Sequence, residues 1–266
     1  MTTMIELERT LDREALRDVI DLALWSGQLL LQHGAESARV EETVHKIGTG
    51  LGANWMDILV SPNVIIATTI SGEEFRTKVR RVIQLGVNMT IVAEVNDLSR
   101  RVVAGQLDRR AVRAELERIS RGRPHYSRAV TILAAGFGCA AFSQLFGGDA
   151  AAFAITFVAA SAAMWLRQTL LRERFNPLLV VIITAFAASA LAAALPLLAG
   201  AALREEALIA SVLLLVPGIH LLNAAEDVIA GHLITGIARG FLGVVISLCI
   251  ALGLLLALRL LGINAL

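Results

Sequence analysis

Cysteine is almost missing from this chain of 266 residues: there are two, Cys139 and Cys249, each inside an apolar run. That placement excludes a disulfide framework and a thiolate metal site. Aromatic residues make up only 5%, while alanine, leucine, isoleucine and valine dominate, and small residues let membrane helices pack closely. No Ser-His-Asp order, His-Glu-x-x-His pattern or cysteine pair supports an enzyme. No signal peptide is read either. The first apolar run, Val19 to Leu31, is interrupted by Asp21 and Gln28 and reads as an amphipathic helix. A net charge of +1 gives no reason to expect a nucleic-acid partner.

Charge is the most telling shortage. Residues 129–266 carry 6 Lys/Arg and 6 Asp/Glu, against 18 and 17 in residues 1–128. The whole chain is 56% hydrophobic, with a mean hydropathy of +0.68; soluble domains average roughly 45–50%. Two domains are expected, an α+β domain over residues 1–125 and a membrane α-helical bundle over residues 126–266.

In the charged half, Leu16, Val19, Ile20, Ala23, Leu24, Leu30 and Leu31 recur at helical spacing. They predict a helix from Asp12 to His33, stopped by Gly34. A second helix is predicted from Glu36 to about Leu51, closed by Gly48, Gly50 and Gly52. The run Gly48-Thr-Gly-Leu-Gly follows a helix instead of a strand, so it reads as termination and not as a phosphate loop. Trp55 to Val60, Val64 to Ile70 and Arg76 to Ile83 read as strands around two turns. Ile91 to Val103 and Asp108 to Ser120 read as amphipathic helices, the second N-capped by Asp108. His33, Gly34, Glu36, Arg39, Glu41, Glu42 and His45 form the chemically densest stretch. It is either a helix junction with caps and exposed ion pairs, or carboxylates and imidazole presented together for metal or acid–base work.

Five apolar runs follow: Ala129–Phe146, Ala150–Leu166, Pro177–Gly200, Ala207–Leu222 and Ile234–Leu261. Each approaches or exceeds the ~20 residues that cross ~30 Å of hydrocarbon. Arg121, Arg123 and Arg128 precede the first run, and Arg167, Arg172 and Arg174 follow the second. The loop Gly147-Gly148-Asp149 has no positive charge, and Ala201 to Glu206 has Arg204 beside two Glu. This bias predicts a cytoplasmic first domain and an outward-facing C-terminus.

The stretch from Val216 to Gly240 breaks the pattern. Pro217 removes a helix hydrogen bond and Gly218 adds no support, so a kink or break is expected there. His220, Asn223, Glu226, Asp227, His232 and Arg239 follow closely. Two readings stand: a helix end returning to water, or a polar site on an interrupted span, which is how many transporters hold a small substrate.

The series His33-Gly34-Ala35-Glu36…Arg39-Val40-Glu41, then five runs with Pro217-Gly218…Asn223…Asp227…Gly231…Gly236-Ile237-Ala238-Arg239, resembles the bacterial threonine/serine exporter family. It is similar above all to the larger subunit of that family's split, two-component form, over nearly the whole chain. The resemblance implies a cytoplasmic N-terminal domain and ten spans in all. Only five lie on this chain, so a smaller membrane subunit is expected to supply the rest. It also implies multi-pass residence in the bacterial cytoplasmic (inner) membrane, no cofactor, and export of a small carboxylate metabolite. Fused members are associated with threonine and serine, and split members with succinate-like C4-dicarboxylates. At position 220 the family pattern leads one to expect a second proline; His220 alters the break geometry or adds a titratable group.

The expected mechanism is proton-coupled. The break at Pro217-Gly218 exposes backbone groups, Asn223 orients substrate, Asp227 binds an ammonium or proton, and Arg239 attracts the carboxylate. Besides the small-molecule substrate, the lipid bilayer and the second subunit, the Ala/Gly-rich spans suit a homo-oligomer. Two other classes remain: a membrane-anchored, hydrolase-like enzyme using His33, Glu36, Glu41 and His45, and a sensor whose soluble domain gates a partner.

Overall fold

The computed structural model describes residues 11–83, 86–122, 126–198 and 200–263. The described residues form two compact units: Met1–Arg123 with Ile219–Phe241, and Pro124–Gly218 with Leu242–Leu266. Arg123, and residue 125 at the expected domain boundary, lie outside the described residues.

The first unit is built around α1 (Arg13–Gln32). Asp12 caps its start by accepting the Ala15 N–H, and Gly34 closes its end at φ +94, a conformation that strains any residue with a Cβ. The helix is more central than an amphipathic pattern suggests, since Leu22, Ser26 and Gly27 are buried along with the expected Val19, Ile20 and Leu24. It packs on α2 (Ser37–Gly50), on the helices α3 (Met89–Val103) and α4 (Arg109–Ser120), and on a sheet.

That sheet is an antiparallel meander of β1 (Trp55–Ser61), β2 (Val64–Ser71) and β3 (Glu74–Arg81). Ile65 and Ala67 on β2, with Met56 and Val60 on β1, point into the core. Strand β3 starts two residues earlier than the sequence suggested. Gly72, at φ +59, lets Ser71 pair directly with Glu74 across a tight turn. Residues of β3 also satisfy the polar groups that interrupt α1: Lys78 pairs with Asp21, and Arg80 donates to Gln28 at 2.7 Å.

The second unit holds α5 (Arg128–Leu145), α6 (Ala150–Arg172), α7 (Pro177–Leu198) and α8 (Glu205–Val212). It also holds the later part of α10 (Leu233–Leu260). Most of its buried positions are small, among them Gly136 and Ala140; Ala159, Ala160 and Ala163; Ala185, Ala188 and Ala192. Arg128 ties α5 to α6 through Gln168, Trp165 and Thr169.

The fourth apolar run is not a single helix. α8 ends at Val212, a 3-10 turn covers Leu213–Leu215, and α9 (Gly218–Ile229) starts beyond Pro217. Among the described residues four helices are long and apolar enough to cross a membrane, α5, α6, α7 and α10, with a fifth crossing if α8 and α9 form one broken span. At 1.5 Å per residue α10 is ~42 Å long, more than a ~30 Å hydrocarbon core requires. Its residues 233–241 belong to the first unit; the remainder alone measures ~28 Å.

Candidate functional site

The turn between α1 and α2 brings together much of what the sequence singled out. Gly34 reverses the chain, and the Ala35 N–H returns to the Leu30 carbonyl at 3.1 Å. The turn's own carbonyls therefore point away from α1. The Gly34 carbonyl accepts a hydrogen bond from Asn223 Nδ2 at 2.8 Å, and the Ala35 carbonyl accepts one from Arg239 Nη2 at 3.0 Å. Segments about 190 residues apart in sequence thus form one polar cluster within the first unit.

At its centre is Asp227, with no exposed surface. Asp227 Oδ1 accepts the Ser37 N–H at 2.8 Å, and Oδ2 lies 2.9 Å from Arg239 Nη1. Ser37 is the first residue of α2, whose N-cap Glu36 makes no capping bond. Asp227 therefore caps α2 from another helix, placing a negative charge where the helix dipole and free N–H groups favour one. The guanidinium contact is an ion pair without hydrogen-bond alignment. Asp227 Oδ2, Arg239 Nη1 and the buried Ser37 Oγ are all left without a hydrogen-bond partner.

Local folding explains how these groups arrive. The turn from α9 to α10 is a Schellman closure: Gly231, at φ +89, donates to the Val228 carbonyl, and the His232 N–H returns to the Asp227 carbonyl at 2.7 Å. Gly236 lets α10 approach α9, since a Cβ there would meet the Ala224 carbonyl at 2.9 Å. This hairpin sets Asn223, Asp227 and Arg239 on facing sides of two adjacent helices. It also sets His232 Nδ1 3.6 Å from Glu41 Oε1. Burial pushes the Glu41 carboxyl above its ordinary value of 4.5; His232 and the Val60 backbone oppose the shift and the charge of Asp227 reinforces it.

The remaining expected residues are engaged elsewhere. Glu36 pairs with Arg39 at 2.7 Å. His33 Nδ1 bonds the Leu29 carbonyl of its own helix, His45 meets the Met56 carbonyl and the Trp55 ring, and Glu42 pairs with Lys46. His220 is half-buried and senses the charge of Arg239. Pro217 and Gly218 mark the break that starts α9. Among the described residues no group of three or more His, Cys, Asp or Glu is arranged to hold a metal ion.

Ser37, the Ala35 carbonyl and the role of His232 were not foreseen from sequence. No local signal pointed to them: Ser37 is itself a residue that favours helix starts, so the sequence does not say that α2 takes its anion from another helix.

Comparison with known proteins places the chain in a family. Residues 21–261 match the family described as "Putative threonine/serine exporter". A protein of Klebsiella aerogenes named "Probable succinate transporter subunit YjjP" is 35% identical over 254 residues, covering 95% of this chain and 98% of the relative. Its namesake in Escherichia coli is 36% identical over 254 residues, covering 94% and 98%. An uncharacterized protein of Haemophilus influenzae is 29% identical over 140 residues, covering 52% of this chain and 46% of the relative. No solved structure matches the chain significantly. With its membrane-competent helices, the chain is a membrane protein. It belongs to the threonine/serine exporter family.

Proposed function

We propose that this chain is one subunit of a proton-coupled exporter of small carboxylate metabolites in the bacterial cytoplasmic membrane, with the residue 1–125 domain in the cytoplasm. The observation that carries the reading is the enclosed Asp227–Arg239 pair, 2.9 Å apart and bonded into the α1–α2 turn. A buried ion pair is a poor device for stability, because desolvation offsets much of the Coulomb attraction. In membrane proteins such pairs lie on substrate and proton pathways.

Arg239 attracts the substrate carboxylate, which a guanidinium can grip through two hydrogen bonds. Asp227 takes the proton, or the ammonium of an amino acid, and Asn223 orients the substrate. The break at Pro217-Gly218 frees backbone groups, and His220 adds a titratable group beside Arg239. In the present arrangement Asn223 and Arg239 hold the Gly34 and Ala35 carbonyls, so substrate enters by displacing those contacts.

The relatives' names favour succinate and the family description favours threonine or serine; all three carry a carboxylate. The relatives are also named as subunits. That naming supports a smaller membrane partner that supplies further helices. Arg167, Arg172 and Arg174 after the second crossing support the cytoplasmic orientation.

Efflux from cells preloaded with labelled succinate, threonine or serine tests the reading, with this chain alone and with a five-span partner encoded alongside. Efflux is expected only with both chains, and to be lost in Asp227→Asn and Arg239→Ala. Wild-type efflux rates from variants that insert normally would show that the residue roles are wrong. Absence of efflux for every solute, with both proteins in the membrane, would overturn the exporter reading.

A further inference from the structure

The N-terminus of α2 is occupied by a carboxylate, and the protein itself provides it. Asp227 Oδ1 takes the Ser37 N–H at 2.8 Å while Oδ2 faces Arg239 Nη1 at 2.9 Å. A backbone N–H at a helix start and a guanidinium at this range are the donors an unattached carboxylate would select. The fit is unfinished. Ser37, wholly buried, has an unpartnered Oγ, and Asp227, also wholly buried, has an unpartnered Oδ2. One oxygen of the carboxylate and two groups around it, Ser37 Oγ and Arg239 Nη1, make no hydrogen bond, so that carboxylate is held and not saturated.

We infer that the α2 N-terminus and Arg239 form the carboxylate subsite for the substrate, and that Asp227 is its resident stand-in. The substrate carboxylate enters by exchange as Asp227 takes up a proton and withdraws. This inference rests on the exporter reading and assigns that reading its binding subsite. Charge dictates the order. An incoming carboxylate beside an ionised Asp227 would place two anions on one guanidinium and one helix terminus, an arrangement that favours protonating one of them. With Asp227 ionised before exchange and neutral after it, one cation faces one anion throughout: Asp227 first, then the substrate carboxylate. One proton is thus taken up for each carboxylate bound at this subsite.

Other charges face the same place. Glu41 of α2 acts on Asp227 and is itself faced by His232, while Glu36 of α2 and His220 of α9 act on Arg239. All of these remain when Asp227 alone is changed, so the difference between wild type and Asp227→Asn isolates its proton. Ser37→Pro removes the amide donor with little disturbance to the helix. Proline is accepted at a first helical position, and Glu36 already has the extended backbone, φ −70 and ψ 156, that a following proline requires.

The test is calorimetric titration of the purified full-length chain in lipid nanodiscs with succinate, and with succinamide as the uncharged control, across about pH 6.5 to 8.5, above the ordinary carboxyl range. Wild type is expected to bind succinate and not succinamide, losing about tenfold in affinity per pH unit through the one linked proton. Asp227→Asn should bind more tightly and lose that slope. Ser37→Pro should weaken binding about tenfold or more, as the loss of a charge-assisted hydrogen bond implies. Equal affinities and slopes in all three proteins would overturn the inference, as would absence of succinate binding in both wild type and Asp227→Asn. Cells that still export succinate in either event would leave the exporter reading standing and only the subsite wrong.

Discussion

The two units are packed by opposite rules. In the first, the interior is made of large branched side chains: Leu16, Ile20, Leu24, Leu30, Ile47, Ile65 and Leu116 are essentially unexposed. In the second, alanine fills most of the buried positions, with Val180, Leu208 and Leu258 among the few larger ones, while Leu133, Phe137, Trp165, Ile183, Leu248 and Leu252 face outward. Water drives large apolar groups inward, so a water-facing fold buries them. Lipid gives them no such reason, so bundle helices meet through small residues that let backbones approach. The same aliphatic alphabet therefore builds two interiors that are inverse to one another. The hairpin of α9 and the start of α10 adds a third case, a charged pair enclosed by the first unit.

That pair is where the comparison breaks most sharply. Asp227→Ala leaves Arg239 buried and uncompensated, and should cost about 3–5 kcal/mol of unfolding free energy. The double variant Asp227→Ala/Arg239→Leu should recover most of that loss. Denaturant titration of the full chain in detergent reads both; a cost below about 1 kcal/mol for the single change would mean that the pair is hydrated. Next in size, Leu24→Ala in the first interior should cost about 2–5 kcal/mol by leaving a cavity.

In the second interior the damaging change runs the other way. Ala160→Leu should cost about 1–3 kcal/mol by overpacking, whereas Leu248→Ala on the outward stripe should stay within about 0.5 kcal/mol. If Leu248→Ala proved as costly as Leu24→Ala, that stripe would be packed against another protein surface and not against lipid.

The smallest effect concerns pH. The Glu41 carboxyl is raised in the folded state by burial. Its stabilising contribution is therefore complete below its ordinary 4.5 and declines as pH rises through the folded value. Glu41→Gln should flatten that decline, making the variant the more stable protein near neutral pH and not under acid conditions. Thermal unfolding midpoints across the range would show the crossing; parallel curves would mean that Glu41 does not titrate in the fold.

Most of the elements could be read from the residues, because their signals are local. Asp12 and Asp108 announced two helix starts, and Gly34 and Gly72 announced two reversals. The alternation Met56, Ile58, Val60 gave a strand with one buried face. Where expectation and structure part, a long-range contact decides. α1 is enclosed on more than one side because α2, α3, α4 and the sheet all lean on it. The fourth apolar run is divided because Pro217 denies it a continuous hydrogen-bond ladder. The cluster itself was half legible. His33–Glu41 and Asn223–Arg239 each stood out, yet nothing local says that Ser37 and Asp227 meet.

The cap that Asp227 gives α2 has a consequence for how the chain is made. A ribosome delivers Ser37 long before Asp227, and 190 residues separate the donor from its acceptor. Until α9 and α10 emerge, α2 begins without its anion and the Gly34 and Ala35 carbonyls lack the side chains that bond them in the finished fold. The first unit to be synthesised is thus among the last to be completed, since closing so long a loop must precede its reward. Nascent chains halted before residue 219 should be held in a looser, protease-sensitive form until the hairpin arrives.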